Sequence, residues 1–193
     1  MRRIILFLLL CAAHWVHAQQ DPLYAQYFNN PVLLNPAYTG SLNNWQNVAG
    51  YRSQWGGFDG NPTTFSFASH TSLMENRVGL GLVFVQDKIG DSKNTEFSFN
   101  YAYRIEKEDV SFQFGLSTGF TRFSLDPSAL SLHDAGDPNF LSISEMKFNT
   151  GAGVLLKSER FIAGLSVPRL LPARIRSGAM STEIYKQHFY LYG

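Results

Sequence analysis

From Thr95 to Ile105 the chain reads TEFSFNYAYRI, with Phe97, Phe99, Tyr101 and Tyr103 at every second position and Glu96, Ser98, Asn100, Ala102 and Arg104 between them. Successive side chains of an extended strand point to opposite faces, so this spacing predicts a strand with one aromatic face and one polar or small face. The alternation recurs. Residues 45–55 set Tyr51 and Trp55 against Arg52 and Gln54, and 63–73 set Phe65 and Phe67 against Ser66, Ala68 and His70. Residues 78–88 oppose Val78, Leu80, Leu82 and Phe84 to Gly79, Gly81 and Val83. In 110–123, Val110, Phe112, Phe114, Leu116 and Phe120 stand against Ser111, Gln113, Gly115, Ser117 and Gly119. Residues 147–157 and 160–168 alternate more weakly, with Gly151, Gly153 and Gly164 on the inner face, and 187–193 begins a further strand. Together they make about eight strands, roughly the length a tilted membrane strand needs. No segment has the period of an amphipathic helix.

The links between these strands differ by parity. Even-numbered links are short: MENR at 74–77, EKED at 106–109 and SE at 158–159. Odd-numbered links are longer: 56–62, 89–94, 124–146 and 169–186. A two-sheet sandwich would share the alternation but has no reason to sort its loops in this way. Outer-membrane barrels keep short turns on the periplasmic rim and long loops outside. The pattern therefore predicts an all-β, antiparallel transmembrane barrel with 56–62, 89–94, 124–146 and 169–186 extracellular. Phe97, Phe99, Tyr101, Phe112, Phe114, Val78, Leu80 and Leu82 are then expected to face lipid.

Composition agrees with that setting. Charged residues make up 16% and aromatic residues 15% of the 193, while mean hydropathy is only −0.12. Half-apolar strands produce such a balance, and no run beyond the N-terminus is long enough for a spanning helix. Residues 1–18 (MRRIILFLLLCAAHWVHA) combine Arg2 and Arg3, an apolar run and a small-residue cleavage site, the arrangement of a secretory signal peptide. Cys11, the single cysteine, lies within it, behind a Leu10 that fits lipoprotein processing poorly. Loss of Arg2 and Arg3 leaves 14 Lys and Arg against 15 Asp and Glu, which offers no basic field for nucleic acid. Residues 19–44 form a lead-in with turn signals at Asn30-Pro31 and Asn35-Pro36. It reads as a periplasmic segment, as part of the barrel floor, or as a docking element for a partner. The barrel proper is expected over 45–193.

QYFNNPVLLNPAYTGS (26–41), YRSQWGGFDGNPTTFSFASHTSL (51–73), VGLGLVFVQDKIG (78–90), YAYRI (101–105) and GLSVPRLL (164–171) resemble the PorP/SprF family. The resemblance implies an outer-membrane barrel of a Gram-negative cell, associated with type IX secretion and gliding motility and without catalytic activity. It also implies accessory work for secretion of large surface proteins, engaging and presenting an adhesin or other cargo through the cargo's C-terminal domain. Other components of the secretion or gliding machinery and outer-membrane lipid are the further implied partners. Family barrels have about fourteen strands, an even-numbered closed sheet. A chain with about eight is therefore expected to be a fragment, or else to close as a small barrel.

Candidate chemistry is sparse. His70, His133 and His188 have no metal-ligand spacing, and the alternating glycines of GLGLVF (79–84) lie within a strand, not in a phosphate loop. Asp126, His133, Asp134 and Asp137 share the longest loop without matching a calcium-binding pattern, so no cofactor, metal or catalytic residue is assigned. Arg52, Gln54, His70, Glu96, Asn100, Arg104 and Gln113 are expected to face the lumen. There they can satisfy one another, line a channel or hold an inserted segment. Partner-binding candidates are Asp134, Asp137, Phe140 and Leu141 in the acidic loop 124–146, and Arg169, Leu170, Arg174 and Arg176 in the basic loop 169–186. Two loops of opposite charge suit either mutual packing or a folded domain with complementary patches. The alternative function is a passive outer-membrane diffusion channel.

Overall fold

The computed structural model describes residues 30–57, 59–126, 142–171, 173–177, 180–185 and 187–192; the side chains of 173–185 are outside the description, as is the predicted signal peptide. The chain forms β1 (Gln46–Ser53), β2 (Thr63–Leu73), β3 (Val78–Ile89), β4 (Ser92–Lys107), β5 (Val110–Leu125), β6 (Ile143–Ser158), β7 (Ile162–Val167), β8 (Ala173–Ser177), β9 (Met180–Tyr185) and β10 (Tyr190–Tyr192). Eight of them pair in the order β1-β2-β3-β4-β5-β6-β7-β10, each neighbour antiparallel, and curve into a half-barrel. The strands β8 and β9 make a separate hairpin. Among the described residues no pairing joins β1 to β10, and no helix is long and apolar enough to cross a membrane.

Burial alternates along the strands as the sequence period requires. In β4, Asn100, Ala102 and Arg104 are buried while Phe99, Tyr101, Tyr103 and Ile105 are exposed. The register stacks the outward positions into rows. Phe67, Phe84, Phe97, Phe120 and Phe148 lie side by side across five adjacent strands. Phe120 and Phe148 meet edge to face at 5.8 Å, the geometry that ring quadrupoles favour. Below them the outward rows on β3 to β5 are mainly apolar down to Ile105 and Phe112, with Thr118 among them. Eight residues separate Phe97 from Ile105. At about 3.3 Å per residue and a tilt near 40°, that height approaches the roughly 25 Å apolar band of membrane barrels.

Three longer links differ from the sequence expectation. The 124–146 loop shortens to 126–142, because β5 runs to Leu125 and β6 begins at Ile143. The link placed at 89–94 is only Gly90 and Asp91, because β4 begins at Ser92 and pairs with Ile89. Gly90 has φ +56°, which a non-glycine residue adopts at a cost, and this permits the tight reversal. Ser92, Lys93 and Asn94 are polar because the strand has risen past the apolar band, and backbone pairing continues without an apolar face. Residues 169–186, expected as a loop, contain the β8–β9 hairpin. The short turns at 74–77, 108–109 and 159–161 share one rim, as the parity of the links requires.

Single cysteines at Phe99, Tyr101 and Phe114, labelled with a fluorophore in vesicles, should be quenched by brominated lipid, whereas labels at Asn100 and Ala102 should not. Equal quenching at neighbouring positions would contradict the two-faced wall. Phe99→Arg should cost about 2–4 kcal/mol in unfolding from a bilayer.

Candidate functional site: the filled interior

The concave face is occupied by the chain itself. Residues 30–41 cross it as two 3-10 turns, Pro31–Leu33 and Pro36–Tyr38, each opened by an Asn-Pro step. Proline's fixed φ suits the first position of such a turn, and its missing N–H is not needed there. Asn35 caps the second turn: its Oδ1 accepts from the Ala37 N–H at 2.9 Å. The Asn35 amide then donates to the Val154 carbonyl at 3.0 Å and to the Tyr192 hydroxyl at 2.8 Å, joining the first described residues to β6 and β10. Val32 packs with Ala68, Val83 and Val85, flanked by Leu33 and Tyr38, as the apolar part of the interior. Burial pushes the Tyr38 phenol above its ordinary pKa, so it stays neutral beside the Tyr192 ring, 6.3 Å away.

Glycines on the inner face make the close approach possible. A Cβ on Gly79 would collide with the Thr39 carbonyl, one on Gly115 with the Ala37 backbone, and one on Gly153 with the Asn35 side chain. With no side chain in the way, the Thr39 and Ala37 backbone lies against Gly79 and Gly115, and the Asn35 side chain against Gly153. The glycines of GLGLVF are thus seats for residues 39–40 and not part of a nucleotide loop.

Several residues picked from the sequence surround this segment. His70 is buried, and its Nδ1 accepts from the Gly40 N–H at 3.1 Å. Arg104 is buried too; its guanidinium donates to the Gly40 carbonyl and, at 2.9 Å, to Asn43 Oδ1, and reaches Glu106 at 3.4 Å. Asn100 and Gln113 are buried on the same face. Ser166, not picked from the sequence, donates to the Leu34 carbonyl at 2.7 Å. The signal for this arrangement was present as glycines at matching inner positions of β3, β5 and β6, a groove with no other occupant nearby in sequence.

A second element closes the other end. After β7, Pro168 and Arg169 turn inward, and Arg169 Nη2 lies 2.6 Å from Glu96 Oε2 on β4, three strands away across the concavity. Arg169 is therefore buried and ion-paired, not displayed on a surface loop, while the adjacent Leu170 is partly exposed. Arg52 and Asp87 occupy the same inner row as Thr64, next to the row of Glu96, so two arginines and two carboxylates cluster there. Gln54 is half-buried near the end of β1. Between the two inserted elements remains a cavity of about 40 Å³, bounded by Val32, Pro36, Val83, Asn149, Pro168 and Arg169. Only a water or so fits a space of that order.

Asp134, Asp137, Phe140 and Leu141 lie outside the described residues, and so do His133 and the side chains of Arg174 and Arg176, whose backbone belongs to β8. Among the described residues no three His, Cys, Asp or Glu side chains converge as metal ligands.

An apolar aromatic wall outside and a protein-filled concavity inside define a membrane β-barrel protein with its own chain for a core. The chain belongs to the PorP/SprF family: the family model described as type IX secretion system membrane protein PorP/SprF matches residues 16–193. That is a family of secretion-system membrane components, not of enzymes, and with the barrel fold it supports an outer-membrane place. No curated protein and no solved structure matches the chain.

Asn35→Ala removes the cap and the bridge to β6 and β10, and should destabilise the protein by about 1–3 kcal/mol, read as a lower midpoint of heat-induced mobility shift. Gly115→Val should do at least as much, because the segment must leave its seat; an unchanged midpoint for both would show that the segment does not bear on stability.

Proposed function

We propose that this protein is a non-catalytic, outer-membrane accessory component of the type IX secretion system that engages a secreted surface protein or adhesin through the cargo's C-terminal domain and presents it at the cell surface. The observation that carries this over passive diffusion is the filled concavity: residues 30–41 and 168–169 leave about 40 Å³ between them. A wall whose concave face is occupied by its own chain suits attachment more than passage. In this reading residues 1–18 direct export, the rim with 54–62, 90–91, 126–142 and the β8–β9 hairpin faces outward, and other secretion or gliding components are the neighbours. The cargo meets the acidic loop with Asp134 and Asp137 and the basic hairpin with Arg174 and Arg176. Charge of both signs steers the encounter, while Phe140, Leu141 and Leu170 supply apolar anchors.

Epitope tags at Asp91 should be reached by antibody on intact cells and tags at Asn76 or Lys107 only after permeabilisation; the reverse would invert the orientation.

Deleting 131–140 should abolish co-purification with the cargo's C-terminal domain and stop that cargo alone from reaching the surface. Cargo that still bound and appeared normally would dismiss the loop as its site. In a planar bilayer the intact protein should show no steady conductance; open-channel currents without any partner would favour the diffusion channel.

A further inference from the structure

The outward face carries a second pattern above the phenylalanine row. Arg122 stands next to Phe120 in β5, and Lys88 and Lys93 lie four residues beyond Phe84 and Phe97 on β3 and β4. All three side chains are exposed. Lys88 and Lys93 are direct cross-strand partners, and Arg122, the partner of Thr95, is diagonal to Lys93. Opposed like charges at such a pair are destabilising, and diagonal neighbours are within reach of long side chains. Among the described residues no carboxylate pairs with either lysine, and Arg122 donates only to the Ser144 hydroxyl, at 3.2 Å. Three cations on adjacent strands thus lie at neighbouring outward positions at one edge of the lipid-facing wall, with no carboxylate paired to them among the described residues.

On the other side of the phenylalanine row the wall is hollowed across β2 to β6. Ser69, Thr118 and Thr150 occupy the next outward row, alongside Leu82 and Phe99. Their small side chains floor a groove of about 600 Å³, walled by Trp45, Leu80, Tyr101 and Leu116. Ligand clefts are typically about 300–1,000 Å³. The groove is predominantly apolar, and Trp45 is steadied at its edge by a 2.9 Å hydrogen bond to Ser69 Oγ.

We infer that β3, β4 and β5 carry a site for one phosphate-bearing membrane lipid, its headgroup held by Lys88, Lys93 and Arg122 and an acyl chain laid over the phenylalanine row into the groove. A phosphate accepts from several donors at once, and its charge relieves the repulsion between the opposed lysines. Simple snorkelling of interfacial lysines would need neither two lysines directly opposed across strands nor the hollow below them. The site lies on the outer wall, apart from the loops and the interior, so it stands or falls independently of cargo binding.

The full-length protein, purified in detergent and loaded from mixed micelles holding equal amounts of diphosphorylated lipid A and phosphatidylcholine, is examined by native mass spectrometry. It should retain one lipid A in preference to phosphatidylcholine by about tenfold or more, the scale of a few charge-assisted hydrogen bonds. The triple variant K88Q/K93Q/R122Q should lose that preference, K88R/K93R should keep it, and Lys107→Gln at the opposite rim should leave it intact. Heat-modified mobility identifies variants that have folded, and Ser69→Trp, which fills the groove with the cations untouched, should weaken retention as well. Equal retention of the two lipids, an unaltered preference in the triple variant, or displacement of the lipid by millimolar inorganic phosphate alone would overturn the proposal.

Discussion

A sheet that gives one face to lipid has only its other face on which to place polar contacts, and every polar group left there must find a partner inside the protein. The half-barrel goes some way to meet this requirement by seating a segment of its own chain against the inner face. Residues 35–40 lie directly against Gly79, Gly115 and Gly153, close enough that no side chain could intervene. From that seat follow the Asn35 bridge to β6 and β10, the Gly40 bonds to His70 and Arg104, and the small apolar cluster around Val32. Lipid-facing rows can then be mainly apolar, with charge kept to the edge of the band.

The interior is organised in two tiers with different chemistry. The tier of 30–41 is held by backbone groups, an amide cap and buried hydroxyls, contacts that depend on shape more than on charge. The other tier is ionic, with Arg169 reaching across to Glu96 near Asp87 and Arg52. A single residue after β7 thus spans a gap that three strands separate along the wall, and it anchors the stretch after β7 to the interior. Removing one partner of a buried ion pair leaves the other charge without compensation, which makes this tier the more sensitive to substitution.

The outer wall was legible because lipid imposes its demand at every second residue. TEFSFNYAYRI needs no context to be read as a two-faced strand, and FQFGL on β5 repeats it. Above the band the demand lapses, so Ser92, Lys93 and Asn94 look like a loop although they are paired strand, and the β8–β9 hairpin is hidden in the same way. Arg169 illustrates a different gap: its sequence neighbours Pro168, Leu170 and Leu171 suggest a surface loop, and nothing local indicates a carboxylate 73 residues earlier in the chain. The inner segment was legible only in part. Asn30-Pro31 and Asn35-Pro36 announce turns, but their destination depends on glycines in three strands that alternate with large outward residues and so read as mere spacers.

The Asn35 contacts also impose an order of assembly. Their partners lie 119 and 157 residues further along, on β6 and β10. Loop closure over such spans is unfavourable until intervening hairpins have shortened the path, and contacts of high sequence separation form late. The first described residues of the chain are therefore among the last to settle. Until then their apolar side chains and the bare glycine seats are exposed to each other's competitors, and any factor that delivers the nascent protein to the membrane has to guard an N-terminal segment whose resting place has not yet been built.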